Sequence, residues 1–228
     1  MGTLYLVRHG QASFGAADYD QLSELGQRQC QALGEWMRGR GIVFEAVLRG
    51  TLRRHEQSLS ALLQGYGAAP EASAAPAALE WPGLNEYDGE AIVRALNPAP
   101  IADPHTPEGY RAHFRLLRTG LQRWMAGDTS PAGMPTYAEF VAGVTSALDH
   151  VRQHHVGDVL MVSSGGPIST AVGHVLGTSA ETTIELNLRI RNSALTEFAY
   201  TPKRHMLVSY NHLPHLDAPQ RRDWVTYS

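Results

Sequence analysis

Apolar residues recur in this chain with two spacings. Thr3-Leu4-Tyr5-Leu6-Val7, Phe44-Glu45-Ala46-Val47-Leu48 and Asp158-Val159-Leu160-Met161-Val162 are short runs rich in apolar and β-branched residues. Runs of that kind predict strands, the last of them a central parallel strand covered on both faces. Other stretches follow the helical period. Leu25, Ala32, Leu33, Trp36 and Met37 share one face, with Ser23 as N-cap and Gly39 and Gly41 as the stop. A second helix spans about Leu52–Leu63 and stops at Gly65 and Gly67. An Ala/Pro/Gly-rich loop at 66–78 leads to a short edge strand, Leu79-Glu80-Trp81. Thr136–His155 predicts a strong amphipathic helix, with Phe140, Val144, Ala147, Leu148 and Val151 on one side. Gly165-Gly166-Pro167 leads into a helix over Ile168–Leu176. Two late strands, about Ala194–Tyr200 and His205–Tyr210, are joined by a Pro-containing turn. Strands alternating with helices predict an α/β fold: a three-layer α/β/α sandwich with a mostly parallel central sheet.

The segment from about 85 to 135 breaks that alternation. Pro98, Pro100, Pro104 and Pro107 interrupt it, and a helix follows from about Pro107 to Met125. It reads as a small helical lid inserted into a single domain spanning 1–228. With 228 residues, 43% of them hydrophobic, the chain is long enough for one large core. The formal net charge is −3, and Lys and Arg form no stripe, which argues against nucleic acid as a partner. A single cysteine, Cys30, excludes an internal disulfide framework and fits a reducing compartment. No N-terminal signal pattern is present, and no apolar run approaches the ~18 residues of a membrane helix. A cytoplasmic protein without a membrane partner is expected, and nothing in the sequence sets an oligomeric state.

Candidate chemistry gathers where predicted strands end. Arg8-His9-Gly10, followed by Gln11 and Ser13, closes the first strand. Arg53-Arg54-His55-Glu56-Gln57-Ser58 opens the helix after the second, where free N–H groups already attract anions. Leu84-Asn85-Glu86-Tyr87-Asp88 follows the third, and Val162-Ser163-Ser164-Gly165-Gly166 the central one. In an α/β sheet all four places lie on one edge, where ligands bind. A fixed guanidinium beside an imidazole at that edge suits a phosphate.

These segments, in this order, resemble the histidine phosphatase superfamily, also called phosphoglycerate mutase-like. The likeness runs from about residue 3 to 216 and includes Leu22-Ser23-Glu24-Leu25-Gly26-Gln27 and Arg191-Asn192-Ser193. It implies a phosphatase acting on a small phosphorylated metabolite with neither metal nor other cofactor. His9 would be the nucleophile, forming a phosphohistidine. Arg8 and Arg54 would clamp the phosphoryl oxygens, Arg54 rather than Arg53 because the family pattern is Leu-x-Arg-x-x-Gln. Glu86 would be the general acid, with Asp88 in reserve. Gln11, Ser13, Ser164 and Gly165 would line the phosphate pocket.

One position departs from the family pattern. A second histidine follows the central strand there, in Val-Ser-His-Gly-Gly, and this chain has Ser164. Loss of one such donor costs ~10²–10³ in turnover. Either the protein is a working phosphatase with an altered ligand, or it is a phospho-ligand binding or regulatory protein with little turnover. Retention of His9, both arginines and an acid argues for the first. His212 is the best candidate substitute because it follows a strand, but a polar C-terminal loop residue explains it better. Ser164 does not fit a hydrolase-elbow nucleophile, since Val162 stands where that pattern has glycine. Gly15 lies where many mutase-like members carry Asn, which weighs against the further alternative of a phosphoglycerate mutase-type phosphotransferase. In the lid, His105, Arg111, His113, Arg115 and Arg118 are expected on solvated faces.

Overall fold

A computed structural model describes residues 1–13, 20–67, 76–97 and 106–227. Gly15, most of the 66–78 loop, and Pro98, Pro100, Pro104 and His105 lie outside the described residues. Strands β1 (Gly2–Arg8), β2 (Phe44–Arg49), β3 (Ala78–Glu80), β4 (Asp158–Ser163), β5 (Leu195–Thr201) and β6 (Arg204–His212) form one sheet in the order β3-β2-β4-β1-β5-β6. The pairs β3–β2, β2–β4 and β4–β1 are parallel, whereas β1–β5 and β5–β6 are antiparallel. The sheet is therefore mixed, with its parallel part on the side that carries the candidate residues.

Helices cover both faces: α1 (Glu24–Gly39), α2 (Arg53–Tyr66), α3 (Gly89–Leu96), α4 (Pro107–Ala126), α5 (Tyr137–His154), α6 (Gly165–Leu176) and α7 (Ala180–Arg189). The continuous apolar runs explain why. Leu4, Leu6, Val159 and Met161 face a core shared with α4, α5 and α6. Val7, Leu160 and Val162 face the opposite core, built on Cys30, Leu33 and Met37 of α1 and Leu59 and Leu62 of α2. Strands buried on both sides need apolar residues on both faces, and β1 and β4 have them along their middles. Leu117, Leu121 and Trp124 of α4 belong to the first of these cores.

Several helix ends follow the sequence. Ser23 Oγ accepts the Gly26 N–H at 3.0 Å. Thr136 and Glu139 form a capping box at the start of α5. Gly67, at φ +81°, closes α2 in the left-handed conformation that favours glycine.

Other expectations need correction. Helix α6 begins at Gly165, not Ile168. Gly-Gly-Pro reads as a turn, but proline is tolerated in a helix's first turn, where its missing N–H costs nothing. Helix α2 starts at Arg53, one residue later than expected, and β6 runs on to His212. Helices α3 and α7 carry no pattern that predicts them. The first is short, and in the second only Thr183 and Ile184 are buried, too few to show a period.

Candidate active site

The carboxyl ends of β1, β4 and β2 lie level. Arg8 pairs with Ser163 across β1–β4, and Arg49 pairs with Val162 across β2–β4. His9 N–H then donates to Ser163 O at 2.9 Å, and Gly50 N–H to Val162 O at 3.1 Å. Thus the first residues past each strand are still tied to the sheet, and the side chains they carry are held by it.

His9 is buried, and its Nδ1 lies 2.7 Å from Gly10 O. A carbonyl only accepts, so the proton is on Nδ1 and the lone pair is on Nε2. Burial holds the His9 pKa well below the ordinary imidazole value, and the charges of Arg8 and Arg54 add to the effect. The ring is therefore neutral. Its loop is fastened on several sides. Gly10 N–H donates to Ser58 Oγ at 3.0 Å, and Ser58 Oγ–H donates to Arg54 O at 2.6 Å. Gly10 also lies against Gly26, whose carbonyl oxygen would sit 2.4 Å from a Cβ at position 10. Behind the loop, among Gly10 and Ser58, the buried thiol of Cys30 is pushed up to about 11 by desolvation.

Arg8 is oriented by two backbone carbonyls, Ile190 O at 2.6 Å and Tyr227 O at 2.8 Å. Arg54 is buried, and its guanidinium pairs with Asp20 Oδ1 at 2.7 Å. The same carboxylate accepts the backbone N–H groups of Arg53 and Arg54, so Asp20 caps α2. Gln57 Oε1 accepts the Leu22 N–H at 2.8 Å and fastens the same loop. Arg53 is exposed. Gln11 points its side-chain oxygen at the Ser23 hydroxyl, 2.9 Å away, and so ties the His9 loop to the start of α1. Ser13 is half-buried, with its N–H on Gln21 O.

Glu86 reaches the same place from another direction. Ser163 Oγ donates to Leu84 O at 2.7 Å, which fixes the turn before it. The carboxylate then accepts the Gly166 N–H, at 3.1 and 3.2 Å to its two oxygens, in the first turn of α6. Gly166 has to be glycine here, because a Cβ would lie 2.1 Å from Glu86 Oε1 and 2.6 Å from the Tyr87 ring. Burial raises the Glu86 pKa, while the Gly166 N–H and the two arginines oppose the rise. Asp88 is occupied elsewhere, since its Oδ1 accepts the Ala91 N–H and caps α3. Gly166 and Tyr87 also line a small cavity with Trp124, Phe140 and Asn187.

Ser164 is the N-cap residue of α6, and Gly165 opens the helix beside Glu86. The Ser164 hydroxyl makes no capping bond. It lies 2.7 Å from His55 Nε2, and both side chains are buried. The His55 ring centre is 5.9 Å from that of His9. Nothing in the sequence picks out His55, which looks like one more polar residue in a basic helix start; its spacing from Ser164 carries no signal. His212 is exposed at the end of β6, three strands from β4. In α4, Arg111 pairs with Glu108 and Arg118 with Glu185 of α7.

The family model described as histidine phosphatase superfamily (branch 1) matches residues 4–213. No curated protein sequence matches the chain. Among solved structures, an Entamoeba histolytica phosphoserine phosphatase variant in complex with phosphoserine is 17% identical, with a TM-score of 0.63, covering 95% of this chain and 100% of that one. A Bacillus anthracis phosphoglycerate mutase is 18% identical, with a TM-score of 0.64 and 94% of each chain covered. A mycobacterial glucosyl-3-phosphoglycerate phosphatase is 18% identical, with a TM-score of 0.60, covering 92% of this chain and 99% of that one. At such identities the likeness is one of fold. Among the described residues no helix is long and apolar enough to cross a membrane. The match to the family model over nearly the whole chain places this protein in the histidine phosphatase superfamily, branch 1.

Proposed function

We propose that the protein hydrolyses a small phosphomonoester through a phosphohistidine on His9. The observation that carries this is the His9 ring: neutral, buried, with Nδ1–H spent on Gly10 O and the lone pair on Nε2. Nε2 attacks phosphorus while the bond to the leaving oxygen breaks. Glu86, kept protonated to higher pH by burial, gives that oxygen its proton. Water then attacks the phosphohistidine, the N–P bond breaks, and Glu86 takes a proton from the water. Arg8 and Arg54 neutralise the phosphoryl oxygens through charge-assisted hydrogen bonds in both steps. Arg54 exchanges part of its contact with Asp20 for the substrate. A small phosphorylated metabolite as substrate is supported by the neighbours, one of which is in complex with phosphoserine.

A second reading, binding with little turnover, is favoured by one observation. Position 164, where the resemblance leads one to expect a histidine, holds a serine. The two readings part in a trapping experiment with 4-nitrophenyl phosphate. Wild type is expected to release nitrophenol and to carry acid-labile phosphate on His9, and His9→Ala to do neither. No His9-dependent release, together with retained orthovanadate binding, would establish the binding reading instead.

A further inference from the structure

His55 has no part in the steps above, yet it is a fully buried polar side chain beside the nucleophile. Three features of its setting are unusual. Its Nε2 lies 2.7 Å from Ser164 Oγ. Ser164 sits at the N-cap of α6, where a serine ordinarily accepts a helix N–H, yet its oxygen makes no such bond. Room for the ring comes from Gly50, where a Cβ would fall 2.2 Å from His55 Nδ1. The His55 ring thus occupies the space beside the Ser164 hydroxyl that Gly50 leaves open.

The proton can be placed. His55 Nδ1 is buried and has no hydrogen-bond partner among the described residues. A neutral imidazole carries a single N–H, and buried N–H groups without an acceptor are rare. The proton is therefore on Nε2, and Ser164 Oγ accepts it. Burial together with the charges of Arg54 and Arg49 brings the His55 pKa down to about 3, which keeps the ring neutral. The serine keeps its own hydrogen as a donor. Ser163, the residue before it, binds the His9 backbone, and Gly165, the residue after it, adjoins Glu86.

We infer that His55 and Ser164 act together as a two-residue replacement for the second imidazole: His55 Nε2–H holds the Ser164 hydroxyl, which donates its own proton to an oxygen of the phosphoryl group bound at His9. Ser164 touches the phosphoryl group, and His55 is a positioning residue that acts through it. No bond is made or broken at either residue. The inference rests on the phosphoryl-transfer reading above.

An exchange of the two residues tests it. kcat and KM for 4-nitrophenyl phosphate, affinity for orthovanadate, and melting temperature are measured for H55A, S164A, H55A/S164A, H55Q and H55A/S164H, with H9A as control. Each single alanine variant is expected to lower kcat about 10²-fold with little change in KM. The double alanine variant should be no worse than the poorer single one, because residues acting as a unit are not additive. H55Q, which keeps an N–H near Nε2, should recover part of the loss. H55A/S164H, which moves the imidazole to the other position, should come within about tenfold of wild type. Multiplying effects, wild-type turnover in H55A, or a folded H55A/S164H without recovery would each overturn the inference. Phosphate recovered on Ser164 instead of His9 would overturn it and the function above together. If wild type shows no His9-dependent release, the function fails, and orthovanadate decides the pair. Weaker binding in S164A with recovery in H55A/S164H supports the pair, and equal binding throughout refutes it.

Discussion

Strands β1 and β4 lie side by side in register and end at the same edge, but they deliver chemistry differently. β1 does so directly: Arg8 is its last residue and His9 the next, and backbone carbonyls orient both side chains. β4 ends in Ser163, with Ser164 the next residue, and both have short side chains that reach outward for partners. Ser163 holds the turn before Glu86, and Ser164 meets an imidazole from α2. A strand end can supply a long functional group itself, or supply a short one that a distant residue completes. In the proposed reaction the β1 side carries its groups on two adjacent residues, Arg8 and His9, whereas the β4 side divides its share between two elements.

The largest expected effect that breaks this comparison lies on Glu86, the proposed acid. Glu86→Gln keeps the shape but removes the proton, and kcat for an alkyl phosphate should fall about 10²–10⁴-fold. In the wild type, activity should decline as pH rises through the raised Glu86 pKa, since the acid must be protonated. A pH–rate profile that keeps this alkaline limb in the glutamine variant would give the role to another group.

A smaller effect is expected at Gly50. In Gly50→Ala the added Cβ would fall 2.2 Å from His55 Nδ1 and 2.6 Å from Asn85 Oδ1. Overpacking of that kind costs about 1–3 kcal/mol. Turnover should drop about tenfold, in keeping with one displaced hydrogen bond of about 1.4 kcal/mol. The β1 side should be spared, so phosphohistidine should still form on His9. Unchanged kinetics would show that the two sides are not distinct in this way.

The smallest effect is on stability, and it sharpens the comparison because each side holds one buried neutral histidine. His55 is brought from 6.5 down to about 3, as is His215 elsewhere in the core, and His9 is lowered by the same burial. Between pH 6.5 and 3 the unfolded chain binds protons that the native state refuses. Stability must therefore fall as pH falls, by at most about 1.4 kcal/mol per pH unit for each histidine. Glu86, whose pKa is raised, acts in the opposite sense just above its ordinary value. Urea denaturation at pH 7 and pH 5 measures the slope. His9→Asn and His55→Gln should each reduce it by one histidine's share.

The sheet was legible because β1 and β4 are apolar at nearly every position, which only strands covered on both faces require. Helices α1 and α5 were legible from their caps and period. Helix α7 buries too little to show a period, and α6 hides its start behind a Gly-Gly-Pro that looks like a turn. In the site, Arg8, His9, Arg54 and Glu86 each stand just past a strand or at the turn of a helix, where sequence position implies placement. His55 has no such mark. Its partner is 109 positions away, and only the folded chain brings the two together. Asp20 has no such mark either, since it caps α2 through a contact 33 positions off.

Cys30 offers a different kind of access to this protein. It is the chain's one cysteine, and it lies buried against the loop that carries His9. A protonated, enclosed thiol reacts slowly with alkylating reagents. Its labelling rate in the native protein therefore measures how often α1 and α2 part from that loop. No second thiol contributes to the signal, so one time course follows the opening of the nucleophile's support while the rest of the fold stays intact. Phosphate or orthovanadate that steadies the loop should slow that clock.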